Sequence, residues 1–335
     1  MRHFIILAVL VLTLTALVYF GLNSIGLLPE SASLQAETID WLFNLEIIAI
    51  SFLFSLIMVP MIYSLIVFRR KPGDTGDGEH IEGHTKLEIV WTVIPLLIVL
   101  VLAYLGAWSL GDTLRADPQA MEIEVTAFQW GWKFKYPDYG ITTTELYLPV
   151  DRQALLTMES IDVIHSFWVP EFRVKQDVIP GQTTELRITP IEIGDYRVRC
   201  AELCGKDHAY MLADVVVVAE ENFLAWVDQQ KALVPDTIGP DPDRGELIVE
   251  QNGCFACHSV DGSEGRGPTW LGLYGSEVQL ADGTVVTADD DFILESILDP
   301  NAAIVSGFPA NAMPQFQLSD EELADILAFI QTLQD

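Results

Sequence analysis

Two uninterrupted apolar runs, 41–68 and 87–110, constrain this chain more than anything else in it. Each carries a single acidic residue, Glu46 or Glu88, and each is longer than the roughly 20 residues a helix needs to cross a bilayer. Runs of this kind fold as membrane helices, because in lipid a helix satisfies its own backbone polar groups. Arg69-Arg70-Lys71 sit between them, followed by a Gly- and Asp-rich stretch ending at Lys86. Positive residues mark the cytoplasmic side, so the hairpin comes in from outside, turns inside at 69–86 and is outside again by Leu110. Trp41, Trp91 and Trp108 fall near the interfaces, as aromatic belts do. A further apolar run, 4–20 behind Arg2, reads as a signal-peptide core or an extra transmembrane helix, with a lean towards an export signal. The parity of the hairpin is the same either way. Residues 1–30 are assigned to this first segment and 31–112 to the hairpin.

From Met121 the pattern becomes that of strands. Residues 122–128, 184–188 and 195–199 alternate in polarity, and Asp214 to Val218 is rich in β-branched residues. Short strands parted by turns such as Pro180-Gly181 predict a β-sandwich over 113–220. A helix over 221–232 and the proline-rich stretch 234–243 form a connector, 221–243. The remainder, 244–335, reads as helices, with one Asp282-Gly283 hairpin. Thr287-x-x-Asp290 and Ser319-x-x-Glu322 read as capping boxes that open two of those helices. The fold class is thus multidomain: a transmembrane helical hairpin, an all-β sandwich and an all-α domain.

Acidic residues outnumber basic ones 48 to 18, for a formal net charge of −30. That excludes a nucleic-acid partner, whose phosphates need Lys and Arg. It fits an acidic surface that attracts basic proteins, or adaptation to salt.

The four cysteines form two tight pairs, 200/204 and 254/257, where a disulfide framework would scatter them. Cys254-Phe-Ala-Cys257-His258 is a C-x-x-C-H motif, the attachment site of c-type haem. The two thiols on one turn reach both vinyl groups, and the next imidazole faces the iron. A thioredoxin-like dithiol would want a βαβ context, and a zinc site a second ligand pair; this region has neither. Met313, in Asn-Ala-Met-Pro, supplies the sixth ligand, and a thioether opposite His suits electron transfer.

The stretch Cys200-Ala-Glu202-Leu-Cys204-Gly-Lys-Asp-His208-Ala-Tyr-Met211, with His165 upstream, gathers two thiols, two imidazoles and a thioether. Soft sulfur with imidazole selects copper, zinc or iron. A mononuclear blue-copper site needs only one Cys, so the second thiolate allows both to bridge two metal ions, with His165 and His208 each terminating one. A structural Cys₂His₂ zinc site is the alternative, and it leaves Met211 without a role.

Residues 40–220 resemble cytochrome c oxidase subunit II. The resemblance rests on the Cys200–Met211 loop, Gln129-Trp130-Gly-Trp132, Lys175-x-Asp177-x-x-Pro180-Gly181 and Glu88-Ile-Val-Trp91-Thr. It implies a cupredoxin sandwich holding a binuclear copper (CuA) centre, with Cys200 and Cys204 bridging, His165 and His208 terminal and Met211 a weak ligand. In the same way it implies that the Glu202 carbonyl reaches the second copper, and its carboxylate a magnesium or manganese ion bordering subunit I. Trp130 is then where the electron enters, and Glu88 lies at a proton-uptake mouth. Gly131 departs from the family, many of whose members have another aromatic there, which narrows the electron-accepting patch. Residues 244–335 resemble a class I cytochrome c, on Gly245, Gly267-Pro268 and Phe329 as well as the haem motif. That implies a Pro268 carbonyl supporting His258. The combination resembles subunit II of caa-type oxidases: a donor reduces haem c, the copper pair follows, and subunit I reduces oxygen and pumps protons. The implied partners are subunits I and III and a cytochrome bc complex or small redox protein as donor. The implied place is the bacterial inner membrane, multi-pass, with the copper and haem domains on the periplasmic face. Quinol oxidase subunits lack the copper ligands, nitrous oxide reductase lacks the hairpin, and a copper-delivery module needs neither Glu88 nor a haem domain.

Overall fold

The computed structural model describes every residue except 71, 74, 77, 79, 234–238, 317 and 335. The part of the proline-rich connector at 234–238 therefore lies outside the described residues. The chain divides into two units, Met1–Arg115 and Ala116–Asp335.

The first unit is three helices: α1 (Arg2–Ser24), α2 (Leu34–Val67) and α3 (Thr85–Thr113), each long and apolar enough to cross a membrane. Helix α2 starts before the apolar run because the Ser33 hydroxyl caps it, accepting from the Ala36 N–H at 3.1 Å. Helix α3 is opened by the His84 ring nitrogen, which accepts from the Leu87 N–H at 3.3 Å. Helix α1 packs along α2, with His3 Nδ1 2.7 Å from the Tyr63 hydroxyl and the Tyr19 hydroxyl donating to Asn44 at 3.1 Å. Trp41 and Trp108 meet edge to face at 6.3 Å, next to the Thr38–Asp112 hydrogen bond that ties α2 to α3. Apolar side chains such as Ile57, Leu65, Leu97 and Val99 stand exposed along these helices, a surface that lipid covers and water does not tolerate.

The second unit begins with ten strands. In chain order these are β1 (Met121–Phe128), β2 (Gly131–Tyr136), β3 (Ile141–Thr143), β4 (Leu146–Pro149), β5 (Ala154–Ser160), β6 (His165–Trp168), β7 (Lys175–Val178), β8 (Thr184–Ile188), β9 (Gly194–Cys200) and β10 (Leu212–Val218). They form two five-stranded sheets, β3-β2-β1-β5-β8 and β4-β10-β9-β6-β7. Pairing is antiparallel except β1 with β5 and β4 with β10. The alternation seen in the sequence is the inward face: Met121, Ile123, Val125 and Ala127 on β1 are buried, and so are Ala213, Val215 and Val217 on β10. Tyr136 locks the sheets together at one edge, its hydroxyl donating to the Tyr147 carbonyl at 3.0 Å and accepting from the Tyr147 N–H at 2.8 Å. Helix α4 (Glu220–Leu233) packs back there, Trp226 stacked on Tyr147 at 4.2 Å.

The last part holds α5 (Pro242–Gln251), β11 (Glu277–Gln279), β12 (Val285–Thr287), α6 (Asp290–Leu298) and α7 (Asp320–Thr332). Its core is Val249, Trp270, Ile293, Ile297, Leu323, Ile326, Phe329 and Ile330. Helices α5 and α7 cross at Gly245, where a Cβ would stand 2.0 Å from the Asp325 carbonyl oxygen. Beside the crossing, the Arg244 guanidinium grips the Asp325 carboxylate through Nε at 2.8 Å and Nη2 at 2.7 Å. The Ser319 capping box opens α7 as the sequence predicts. The Thr287 box does not open α6. Thr287 is held in β12 opposite Glu277, and Asp289 caps the helix instead, accepting from the Phe292 N–H at 3.0 Å.

Candidate copper and haem centres

Strand register brings His165 to a loop far along the chain. Strand β6 lies beside β9 with Phe167 opposite Cys200, which sets His165 and Phe167 on one face next to the end of β9. The loop itself is closed at its neck by the Cys200 N–H donating to the Met211 carbonyl at 3.2 Å. Within it the sulfurs of Cys200 and Cys204 stand 3.7 Å apart. Nδ1 of His165 is 3.9 Å from the Cys200 sulfur, and Nδ1 of His208 is 3.5 Å from that of Cys204. The Met211 sulfur is 3.8 Å from that of Cys204, and the Glu202 carbonyl 3.2 Å from that of Cys200. The ligand atoms of His165, Cys200 and Cys204 all lie within 4.8 Å of one another. His165 and Met211 are fully buried and both cysteines nearly so, while the Glu202 side chain is exposed.

The two thiols differ sharply in acidity. Burial opposes ionisation of Cys200, but the His165 imidazole and the backbone at Glu202 and Ser166 outweigh it and bring this thiol down to about 6. Cys204 is pushed up to about 12 by burial and by the neighbouring Cys200 sulfur. A soft cation that displaces both protons relieves the conflict. Nε2 of His165 is 2.8 Å from an Asp162 carboxylate oxygen, which fixes the ring and leaves Nδ1 facing the thiols. Asp162 also accepts from the Gln129 and Val163 N–H groups, each at 2.6 Å. Cushioned in this way, two thiols, two imidazoles, a thioether and a carbonyl fit a pair of copper ions. A tetrahedral zinc would leave Met211 and the carbonyl unused.

Trp130 lies against this loop. Its indole N–H donates to the Cys204 carbonyl at 3.3 Å, and the Gln129 amide donates to the same oxygen at 2.6 Å. Trp132 is buried in the core instead, edge to face with Phe167 at 5.6 Å. At Gly131 the space a side chain would need is taken by the Phe128 ring, 2.8 Å from where a Cβ would stand.

Cys254 to Ala256 form a single tight turn, with the His258 N–H donating to the Cys254 carbonyl at 3.0 Å. As the resemblance implies, His258 Nδ1 is 2.8 Å from the Pro268 carbonyl. Burial pushes the imidazole pKa down, so the ring is neutral, donating at Nδ1 and presenting a lone pair at Nε2. Trp270 stacks on the ring at 4.8 Å, and Gly267 gives it room, since a Cβ there would stand 2.6 Å from Cε1. Met313 and Cys254 both pack on the core cluster that includes Trp270. Two free thiols on a turn, a neutral imidazole with an open nitrogen and a thioether fit a covalent haem.

Glu88 belongs to the other unit. Its carboxylate accepts from the His84 N–H at 3.0 Å, a local cap on α3. Sequence reasoning missed Asp162 and Arg266. Asp162 could have been suspected from Asp-x-x-His spacing, whereas Arg266, which meets Asp207 and Trp130, has no local signal at all.

The chain matches the family model for the transmembrane domain of cytochrome c oxidase subunit II over residues 19–110 and that for its periplasmic domain over 141–219. Residues 242–334 match the cytochrome c family model. Cytochrome c oxidase subunit 2 of Alkalihalophilus pseudofirmus is 30% identical over 307 residues, covering 88% of this chain and 87% of the relative. That of Thermostichus vulcanus is 35% identical over 268 residues, covering 64% and 82%. Among solved structures, the periplasmic domain of subunit II of cytochrome oxidase from Bradyrhizobium japonicum is 32% identical, covering 36% of this chain and 97% of that one, with a TM-score of 0.33. With its apolar helices, cupredoxin-like sandwich and terminal haem-motif domain, the chain belongs to the cytochrome c oxidase subunit 2 family, as subunit II of a haem-copper oxidase fused to a cytochrome c domain.

Proposed function

We propose that the chain takes electrons from a donor and hands them to subunit I, where oxygen is reduced to water with proton pumping. The observation that carries this reading is the pair of sulfurs 3.7 Å apart, flanked by two imidazoles and a thioether, in the same compact unit as a C-x-x-C-H turn. When bound, haem c and a binuclear copper centre supply one-electron transfer, from haem to copper and on to subunit I. The residues of the chain do the rest. Cys254 and Cys257 would hold the haem covalently, and His258 and Met313 would supply its nitrogen and sulfur ligands. Cys200, Cys204, His165 and His208 would hold the copper, with Met211 and the Glu202 carbonyl completing the set. Trp130, hydrogen-bonded to the Cys204 carbonyl, is where the electron reaches the copper loop. Leu203, next to Glu202, and Tyr210, near the end of the loop, are 77% and 79% exposed and suit a face that subunit I covers. The Glu202 carboxylate there is the ligand offered to a magnesium or manganese ion.

Boundaries at 31, 113, 221 and 244 separate membrane helices, copper domain, connector and haem domain. The tether keeps the internal donor at high effective concentration, so this step needs no diffusing cytochrome. The donor to haem c is a cytochrome bc complex or a small redox protein. Subunit III joins subunit I in a bacterial inner membrane, with the copper and haem domains on the periplasmic face. Glu88 as a proton-uptake mouth rests on the resemblance alone, and its cap on α3 supports the plainer local role.

The test is metal and haem analysis of the purified complex, with a visible and near-infrared spectrum. Two copper ions per haem c are expected. One zinc and no copper overturns the copper reading, and the absence of a haem c spectrum overturns the haem reading.

A further inference from the structure

Among the described residues, three contacts between the copper domain and the haem domain gather around the haem-attachment turn. Arg266, on the loop that follows His258, lies with its guanidinium carbon 4.9 Å from the centroid of the Trp130 ring. The same guanidinium forms an ion pair with Asp207, the residue before His208; the aspartate is 14% exposed and the arginine 41%. Lys133 on β2 donates to the Asn252 side chain at 2.8 Å, just ahead of Cys254. Phe128 wedges against Gly253, where a Cβ would stand 2.9 Å from its ring, and meets Phe316 edge to face at 6.4 Å. The electrostatics agree with this geometry: Arg266 and Asp207 act on the Cys257 thiol and Lys133 on that of Cys254. In a chain with 18 basic residues against 48 acidic ones, two of the basic side chains are spent on this one seam.

We propose that Arg266 is the positioning residue that seats the haem domain on the copper loop, its guanidinium stacked on Trp130 and paired with Asp207, with Lys133–Asn252 and Phe128–Gly253 as the flanking contacts. Arginine suits the place, because its planar group stacks on an indole face while its N–H groups still reach a carboxylate. A lysine keeps the charge for Asp207 and loses the flat contact with Trp130. The seat holds the haem turn beside the indole that is hydrogen-bonded to the Cys204 carbonyl.

This inference rests on the reading of Trp130 as the residue through which the electron arrives, so its test has two readouts. In the full-length chain without metals, hydrogen exchange is followed at the amides of 203–210 and 252–258. Arg266→Ala is expected to raise exchange in both stretches by about tenfold, the signature of local opening. Arg266→Lys is expected to fall between Ala and wild type. In the loaded complex, Arg266→Ala is expected to slow haem-to-copper transfer after flash reduction about tenfold, because a small misplacement is costly in rate. The haem and copper spectra should not change. Wild-type exchange in both stretches for Arg266→Ala overturns the seating, whatever the metals do. Raised exchange with an unchanged transfer rate overturns the role of the seat in electron transfer. A wild-type chain lacking copper or haem would instead overturn the function proposed above and leave the exchange result standing. Should Arg266→Ala fail to accumulate, Arg266→Lys serves in the same two measurements, and wild-type exchange in both stretches for that variant overturns the seating through the Trp130 stack.

Discussion

Replacing Gly245 by alanine tests the packing that holds the haem domain together. The new Cβ would stand 2.0 Å from the Asp325 carbonyl oxygen, 2.6 Å from its carbon and 2.8 Å from Phe329 Cβ. Ordinary contact begins near 3.4 Å, so α5 and α7 must part by about 1.4 Å, the difference between 3.4 and 2.0. No rotamer change relieves this, because the obstacle is backbone. Gaps of about 0.5–1 Å already forfeit a quarter to a half of each dispersion contact, and Val249, Ile326, Phe329 and Ile330 all lie along the seam. Asp325 would also pull away from Arg244, in a pair of which only 5% of the aspartate is exposed. Overpacking of this kind costs about 3 kcal/mol, the upper end of the usual range. Alanine returns about 1 kcal/mol through its better helix propensity. The net loss of about 2 kcal/mol corresponds to a fall in Tm of about 10 °C for a domain of this size. The assay is thermal unfolding of the full chain followed by haem absorbance, which reports on this domain alone. Glu246→Ala, exposed on the same helix, is the control and should stay within about 0.5 kcal/mol of wild type. If Gly245→Ala melts with the control, the close crossing of α5 and α7 is not what stabilises the domain.

Other substitutions read other parts of the site. Asp162→Ala removes the partner of His165 Nε2, and copper affinity measured by chelator competition should fall about 10–100-fold while the sandwich stays folded. Gly267→Ala drives a Cβ into the His258 ring, so the visible spectrum should show loss or change of the axial ligand. Ser319→Ala breaks a complete capping box, and guanidinium unfolding of the haem domain should report a loss of about 1 kcal/mol. Trp130→Phe keeps an aromatic ring but loses the donor to the Cys204 carbonyl, so haem-to-copper transfer should slow, and an unchanged rate would show that the electron does not arrive there.

Much of this molecule is written in short stretches of residues. The apolar runs, the alternation along β1, the β-branched run of β10, the two cysteine motifs and the Ser319 box each depend on neighbours a few positions apart, and each was legible for that reason. Strands β2 to β7 were not read: β3, β4, β6 and β7 are only three or four residues long, and β4 and β6 bury consecutive residues instead of alternating. Thr287 misled because a capping-box pattern says nothing of whether its first residue is already committed to a strand ladder.

By itself, the sequence determined which side chains could ligate metal and haem, and that membrane helices precede them, since ligand chemistry and bilayer thickness act on local composition. Only the tertiary structure decided how those side chains meet. The register of β6 on β9 delivers His165 to the copper loop, and Asp162 turns its ring. The crossing at Gly245 builds the haem domain's core, and Arg266 reaches Trp130 and Asp207 from a separate domain. Such contacts depend on the mutual placement of elements far apart in the chain, which packing decides and local pattern does not carry.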